Sequence, residues 1–118
     1  ALESEHGFST DTWTQFAELG LLGVPFSEDA GGFNGGGPEL MVVAEGFGRG
    51  LVVEPYLATV VLSGVLIDKL GSDAQKEQFL PAIIGGETRL ALANSESQGR
   101  HDHTYVVTDA HQAGHGYV

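Results

Sequence analysis

Residues 70–81 read LGSDAQKEQFLP, and this stretch decides the fold because it predicts a helix with a marked start. Ser72 and Gln75 have the spacing of a capping box, in which each side chain accepts a hydrogen bond from the other residue's backbone amide. The apolar residues that follow supply an inward face. Pro81 disfavours helical geometry at Leu80. We therefore expect a short helix that packs on an apolar core.

The sequence before this stretch predicts three further helices. They begin near Ser9–Asp11, at Pro38 and at Pro55. N-cap residues and prolines at first helical positions mark these starts. The third helix carries no charge between Glu54 and Asp68, so it is hydrophobic nearly all round and we expect it to be buried. The apolar segment Leu21–Pro25, between the first two helices, is expected to be extended and buried.

The chain changes character after Gly85–Gly86. Arg89–Ala93 alternates large and small residues, and Tyr105–Thr108 is aromatic and β-branched, so both predict strands. Gly116–Val118 reads as the beginning of another strand. The sequence therefore predicts an α+β fold class, with a helical domain at 1–86 and the beginning of a β domain at 87–118.

Composition excludes several classes of function. The net charge is −11 and only five residues are Lys or Arg, which argues against a nucleic-acid partner. There is no cysteine and therefore no disulfide framework. Ala1–His6 lacks the pattern of a signal peptide, and the apolar run Tyr56–Ile67 is too short for a transmembrane segment. We expect a cytoplasmic protein.

Two motifs give only weak support for a ligand-binding site. The glycine-rich loop at 27–37 lacks the Gly-Lys-Ser/Thr of a phosphate-binding loop, so turn and cap glycines account for it better. Four histidines lie near the end of the sequence, at positions 101, 103, 111 and 115. His111 and His115 have a spacing seen in zinc sites, but no third-ligand motif converges on them, so we predict no metal and leave that site as a weaker alternative. No pair of carboxylates indicates acid–base catalysis, and we predict no catalytic residue.

The sequence resembles the acyl-CoA dehydrogenase family in four segments, in order. These are Trp13–Pro25, Glu28–Phe33, Glu45–Gly50 and Leu70–Glu87. The next stretch, Ala93–Asp102, is similar to the family's A-x-T-E-P-x-x-G-S-D, although Ser97, Arg100 and His101 replace the proline, glycine and serine of that pattern. The resemblance implies an all-α up-and-down helical domain followed by the first strands of an antiparallel β-barrel domain.

The resemblance also implies a cofactor, FAD, and an acyl-CoA substrate. The cofactor-binding residues that it implies are Leu92, Asn94, Ser95, Arg100 and His101. The substrate-binding residues that it implies, along the third helix, are Glu54, Ala58, Thr59 and Leu62. The family's catalytic glutamate belongs to a domain that this sequence does not include, so we expect these 118 residues to be inactive alone.

The implied reaction is oxidation of an acyl-CoA to the trans-2-enoyl-CoA, by α-proton abstraction and β-hydride transfer to flavin. The expected partners are an electron-transfer flavoprotein or a similar acceptor and other subunits of a homo- or hetero-oligomer. Two alternatives stay open. One is a non-catalytic partner subunit, which Arg100 and His101 favour, and the other is a flavin oxidase or monooxygenase of the same fold.

Overall fold

The computed structural model describes residue 3 and residues 5–118. Four helical elements are followed by a pair of antiparallel strands, which confirms the predicted fold class. The helices are α1 (Thr10–Glu18), α2 (Gly37–Gly50), a π-helical segment (Leu57–Gly64) that continues directly into α3 (Val65–Leu70), and α4 (Asp73–Ile84). Short 3-10 turns lie at Leu21–Gly23 and Glu28–Ala30, and the strands are β1 (Gln112–Ala113) and β2 (Gly116–Tyr117).

Side-chain hydrogen bonds confirm two of the predicted helix starts, at Ser72 and at Ser9. The Gln75 amide donates to Ser72 Oγ at 3.3 Å, and the Ser72 amide donates to Gln75 Oε1 at 2.9 Å, which completes the capping box. At α1 the Thr12 amide donates to Ser9 Oγ at 3.2 Å. These side chains satisfy amides that have no partner within the first turn of a helix.

The expectation for Pro81 is wrong, because α4 continues through this residue to Ile84. A proline inside a helix costs about 3 kcal/mol. Leu80 and Ile83, which flank Pro81, are both buried in the core. Burial of each contributes about 1.5–3 kcal/mol, which together matches or exceeds the cost of the proline. The helix is therefore maintained by its packing and not by its local sequence.

The core lies where α1, the π-helical segment and α4 meet. Its buried apolar residues are Trp13, Phe16, Leu22, Phe26, Tyr56, Val60, Leu80 and Ile83. Phe47 of α2 stacks on Phe16 with ring centroids 4.9 Å apart and meets Tyr56 edge-on at 5.0 Å. This aromatic contact attaches α2 to the rest of the domain.

Leu21–Pro25 is not extended, which corrects the prediction for this segment. Gly20 has a φ of 76°, so the chain reverses direction after α1, and the Gly23 amide donates to the Gly20 carbonyl at 3.0 Å. The resulting tight turn buries Leu22 completely. An extended segment would carry that side chain past the core.

Backbone hydrogen bonds hold the glycine-rich loop against the turn before it. The Phe33 amide donates to the Gly23 carbonyl at 3.2 Å, and the Gly35 amide donates to the Val24 carbonyl at 2.7 Å. A Cβ on Gly35 would lie 2.6 Å from the Val24 carbonyl oxygen, and a Cβ on Gly32 would clash with the carbonyl of Phe26. Glycine is required at both positions because two backbones approach closely there.

The third helix is buried on one side only, so the expectation of burial all round is wrong for this chain. Thr59, Val60, Ser63 and Gly64 are buried, whereas Leu57 is 63% exposed and Leu62 is 41% exposed. The Ser63 hydroxyl donates to the Ala58 carbonyl at 2.8 Å, five residues earlier. The wider π-helical turn brings this pair together.

The segment from Arg89 onwards contains fewer strands than predicted. Neither Arg89–Ala93 nor Tyr105–Thr108 is a strand, whereas the expected strand at the end of the sequence is present as β2. β1 and β2 form a short antiparallel hairpin in which Gln112 faces Tyr117. The backbone of a strand pairs with a neighbouring strand. In the two predicted strands, backbone groups bond to side chains instead: Leu90 bonds to Thr59, and Val107 and Thr108 bond to Glu96.

Candidate functional site

The five residues expected to bind the cofactor lie in one irregular segment after the helical domain. Leu92 is half-buried, and Asn94, Ser95, Arg100 and His101 are exposed. Within the described part of the chain, no hydrogen bond engages the backbone amides of Leu92, Asn94 and Ser95. The Arg100 guanidinium likewise has no carboxylate within ion-pair distance among the described residues. The segment therefore offers unused donors of the kind that a flavin ring and an anionic phosphate accept.

Glu96, which follows Ser95 directly, anchors the segment to the chain after it. Its carboxylate accepts hydrogen bonds from the Val107 amide at 2.9 Å, the Thr108 amide at 2.9 Å and the Thr108 hydroxyl at 2.7 Å. The Thr108 amide first, then the Thr108 hydroxyl and the Val107 amide lower the pKa of the Glu96 carboxyl. These bonds occupy the amides of Val107 and Thr108, two of the four residues of the predicted strand, in place of bonds to a neighbouring strand.

Arg100 and His101 lie in a turn that local hydrogen bonds define. The Asp102 amide donates to the Gly99 carbonyl at 2.9 Å, and Arg100 has a φ of 51°. Asp102 Oδ1 accepts from the Thr104 hydroxyl at 2.6 Å and from the Thr104 amide at 2.9 Å. The hydroxyl bond is the main reason that the pKa of Asp102 is lowered. This turn presents both basic side chains to the surface.

The four residues expected to bind substrate lie along one helix but do not share one face. Glu54 precedes the π-helical segment, and its Oε1 accepts a hydrogen bond from the Ser9 amide at 3.3 Å. Ala58 is half-buried and Leu62 is partly exposed. Thr59 is fully buried on the opposite, inward side. The structure therefore brings Ala58 and Leu62 towards the open face and Thr59 towards the core.

Thr59 connects the two groups of predicted site residues. Its hydroxyl donates to the Leu90 carbonyl at 3.1 Å and accepts from the Leu90 amide at 3.2 Å. Leu90 lies two residues before Leu92, the first of the predicted cofactor donors. Sequence reasoning missed this pairing because the partners are 31 residues apart and Leu90 contributes only backbone atoms.

Two surface cavities among the described residues are lined by none of the predicted site residues. One cavity of about 490 Å³ is lined by Asp29, Asp68, Asp73, Glu77 and Lys76 with neighbouring apolar residues. A second, of about 350 Å³, is mostly apolar and is lined by Val24, Phe33, Pro38, Val42 and Val43 with Gly35 and Glu39. Neither cavity adds a residue to the predicted site.

The histidines do not converge in the described part of the chain. His111 Nε2 lies 3.1 Å from an Asp109 carboxylate oxygen, and no three described His, Cys, Asp or Glu residues form a group that could hold a metal ion. Among the described helices, none is both long and apolar enough to cross a membrane.

Comparison with known proteins connects this arrangement to one family. A sequence model described as "Acyl-CoA dehydrogenase, N-terminal domain" matches residues 1–87. The chain is 29% identical over 115 residues to acyl-CoA dehydrogenase FadE12 of Mycobacterium tuberculosis, covering 97% of this chain and 30% of that protein. It is 35% identical over 108 residues to mitochondrial isovaleryl-CoA dehydrogenase of Bos taurus, covering 90% of this chain and 25% of that protein.

A solved structure supports the same assignment. The Tcur3481-Tcur3483 steroid ACAD variant matches with a TM-score of 0.74 and 34% identity, over 80% of this chain and 26% of that chain. The chain thus spans between a quarter and a third of the length of these relatives. Because the family model matches residues 1–87, most of the chain, this chain belongs to the acyl-CoA dehydrogenase family.

Proposed function

We propose that the protein carrying this chain is an FAD-dependent acyl-CoA dehydrogenase. It oxidises an acyl-CoA thioester to the trans-2-enoyl-CoA by removing the α-proton and the β-hydride. The family match across residues 1–87 carries this proposal. FAD, when bound, supplies the acceptor for the hydride.

The donors of the segment after the helical domain support the cofactor in this proposal. The unused amides of Leu92, Asn94 and Ser95 and the Ser95 hydroxyl would hold the polar edge of the flavin ring. Donors placed there favour negative charge on the ring because they are fixed before the reaction begins. Arg100 and His101 would face the pyrophosphate or the CoA arm, which are anionic.

The third helix supports the substrate in this proposal. Ala58 and Leu62 lie towards its open face, where a small side chain leaves room for an acyl tail and an apolar one excludes water. Glu54, at the start of the helix, and Thr59, on its inner side, complete the set that we assign to this region. The burial of Thr59 and its hydrogen bonds to Leu90 support a role for this residue in holding the helix against the segment that follows.

The organisation of the chain is also part of the proposal. We infer a helical domain at 1–86 and the beginning of the middle β domain at 87–118. Burial supports this boundary, because Ile83 is the last buried residue and none from 87 to 118 is buried. We further propose that these 118 residues alone neither hold flavin tightly nor turn over substrate. An electron-transfer flavoprotein or similar acceptor, a homo- or hetero-oligomeric state and a cytoplasmic location stay predictions.

The second candidate is a non-catalytic subunit paired with a flavin-bearing one. Arg100 and His101 favour it, because two large side chains stand where the family pattern has glycine and serine. Both side chains are exposed in the same turn. This candidate predicts a colourless chain that copurifies with a yellow partner.

The test is an anaerobic visible spectrum of the full-length protein, recorded before and during addition of acyl-CoA thioesters. Bleaching of a flavin spectrum by one thioester supports the proposal, and a colourless protein contradicts it. Ser95→Ala should shift the flavin absorption bands, whereas Ser97→Ala, two residues along the same exposed segment, should not. Equal spectra for both variants would remove Ser95 from the cofactor site.

A further inference from the structure

The Thr59 hydroxyl takes the place of a backbone partner. It donates to the Leu90 carbonyl and accepts from the Leu90 amide, so one side-chain oxygen satisfies both polar backbone groups of a residue 31 positions away. Thr59 itself is fully buried. Two hydrogen bonds inside the protein fix the distance and the register between the two segments more tightly than an apolar contact does, because unpaired backbone groups in this position are costly.

Among the described residues that follow α4, Leu90 is the last that makes a hydrogen bond to the helical domain. The Trp13 indole nitrogen donates to the Gly86 carbonyl at 3.1 Å, and Thr59 then pairs with Leu90. In the described residues, no hydrogen bond joins positions 91–118 to the helical domain. The direction in which the chain leaves towards Leu92 and Ser95 is therefore set at Leu90.

The helix side of this contact also has an unusual geometry. Thr59 lies in a π-helical segment of eight residues, in which the hydroxyl of Ser63 reaches the carbonyl of Ala58. π-helical turns are rare and occur frequently at functional sites. Here the wide turn places Thr59 on the inner side of the same helix that carries Ala58 and Leu62.

We propose that Thr59 is a positioning residue that sets the register of the cofactor-facing segment, Leu92–Ser95, against the helix expected to line the acyl group. This inference rests on the proposed function and goes beyond it. It replaces contact between Thr59 and the substrate with an effect transmitted through Leu90. Thr59 neither gives nor takes a proton in the reaction.

The test uses the full-length protein and three substitutions. Thr59→Val keeps the shape and removes the hydroxyl, and Thr59→Ser keeps the hydroxyl. Ser63→Ala is the matched control, because it removes another buried hydroxyl from the same π-helical segment without touching Leu90. Should Thr59→Val fail to fold, Thr59→Ala provides the same test with a smaller side chain.

The first measurement requires no activity. Hydrogen exchange on the cofactor-free protein should show that Thr59→Val speeds exchange of the Leu90 amide by about tenfold. Thr59→Ser should stay near the wild-type rate, and Ser63→Ala should leave Leu90 unchanged. Unchanged exchange at Leu90 in both Thr59→Val and Thr59→Ala would overturn the proposed contact.

The second measurement separates positioning from stability. With FAD and acyl-CoA present, Thr59→Val should shift the flavin absorption bands and slow flavin reduction by about tenfold, below the roughly 10²-fold loss expected for a 1 Å misplacement. Thr59→Ser should restore both. If Thr59→Val behaves like Ser63→Ala in both readouts, Thr59 is only structural and the inference is wrong. If no acyl-CoA bleaches the wild-type protein, the proposed function itself fails.

Discussion

Replacing Gly64 by alanine should destabilise the helical domain, although alanine is the better helix former. A Cβ at this position would lie 2.6 Å from Cζ of Phe26 and 3.1 Å from the Thr59 carbonyl oxygen. Phe26 is fully buried, so its ring cannot move aside without displacing its neighbours. Overpacking of this kind costs about 1–3 kcal/mol, and the gain in helix propensity returns about 1 kcal/mol. We expect the free energy of unfolding to fall by up to about 2 kcal/mol.

Gly46 provides the matched control for this substitution. It also lies inside a helix, α2, but an added Cβ would meet no atom within 4 Å. Gly46→Ala should therefore show the propensity gain alone, up to about 1 kcal/mol. Thermal unfolding of the full-length protein measures both variants, since each kcal/mol moves the midpoint by about 2–4 °C in a domain of about 150–250 residues.

The two variants should move the midpoint in opposite directions. A Gly64→Ala protein that unfolds at or above the wild-type temperature would refute the close packing of Phe26 against the π-helical segment. A further check combines Gly64→Ala with Phe26→Leu. The smaller side chain makes room for the methyl group, so the two effects should be less than additive.

Three further predictions follow from single contacts. Ser72→Ala removes the side-chain acceptor of the α4 capping box and should lower the free energy of unfolding by about 1 kcal/mol, measured by urea denaturation. Hydrogen bonds lower the pKa of Glu96 in the folded protein below its ordinary value of 4.5, so they stabilise the segment fully above pH 4.5. This stabilisation is lost as the pH falls through the lower, folded pKa. Exchange protection of the Thr108 amide should disappear in that range. Burial raises the pKa of Tyr56 to about 12, so an absorbance titration should show this tyrosine ionising near pH 12. The stability it contributes should be lost as the pH rises from about 10 to about 12.

Each of these has a clear contrary result. Unchanged unfolding of Ser72→Ala would show that another group caps α4. Exchange at Thr108 that depends on pH in the same way in Glu96→Gln would detach the effect from that carboxylate. A Tyr56 that ionises at its ordinary pKa of 10.0 would contradict its burial and its 3.0 Å hydrogen bond to the Leu21 carbonyl.

The helix starts could be predicted from the sequence, because residues close to them in the sequence control them. Ser9 and Ser72 mark helix starts because a cap depends on residues within one turn. Pro81 misled the prediction because buried Leu80 and Ile83, which are tertiary features, outweigh the local cost of proline. The π-helical segment was not predicted, since its apolar residues fit an ordinary helical period equally well.

The candidate site likewise contains features that the sequence predicts and features that depend on distant partners. The exposed positions of Asn94, Ser95, Arg100 and His101 agree with what a loop sequence predicts. The roles of Thr59 and Glu96 depend on partners that are 31 and 12 residues away and contribute mainly backbone groups. No sequence pattern encodes such a partner, because any residue type supplies the same amide and carbonyl.

The glycine-rich loop has a consequence for protein engineering. Gly32 and Gly35 act as spacers that allow two stretches of backbone to pair where no sheet exists, so their side-chain positions are closed to every other amino acid. A mutational library built on this loop would lose most of its members to misfolding if it varied these two positions. Asn34, which lies between them, is exposed, but its φ of 54° restricts such a library to residues that tolerate left-handed backbone, such as glycine and aspartate.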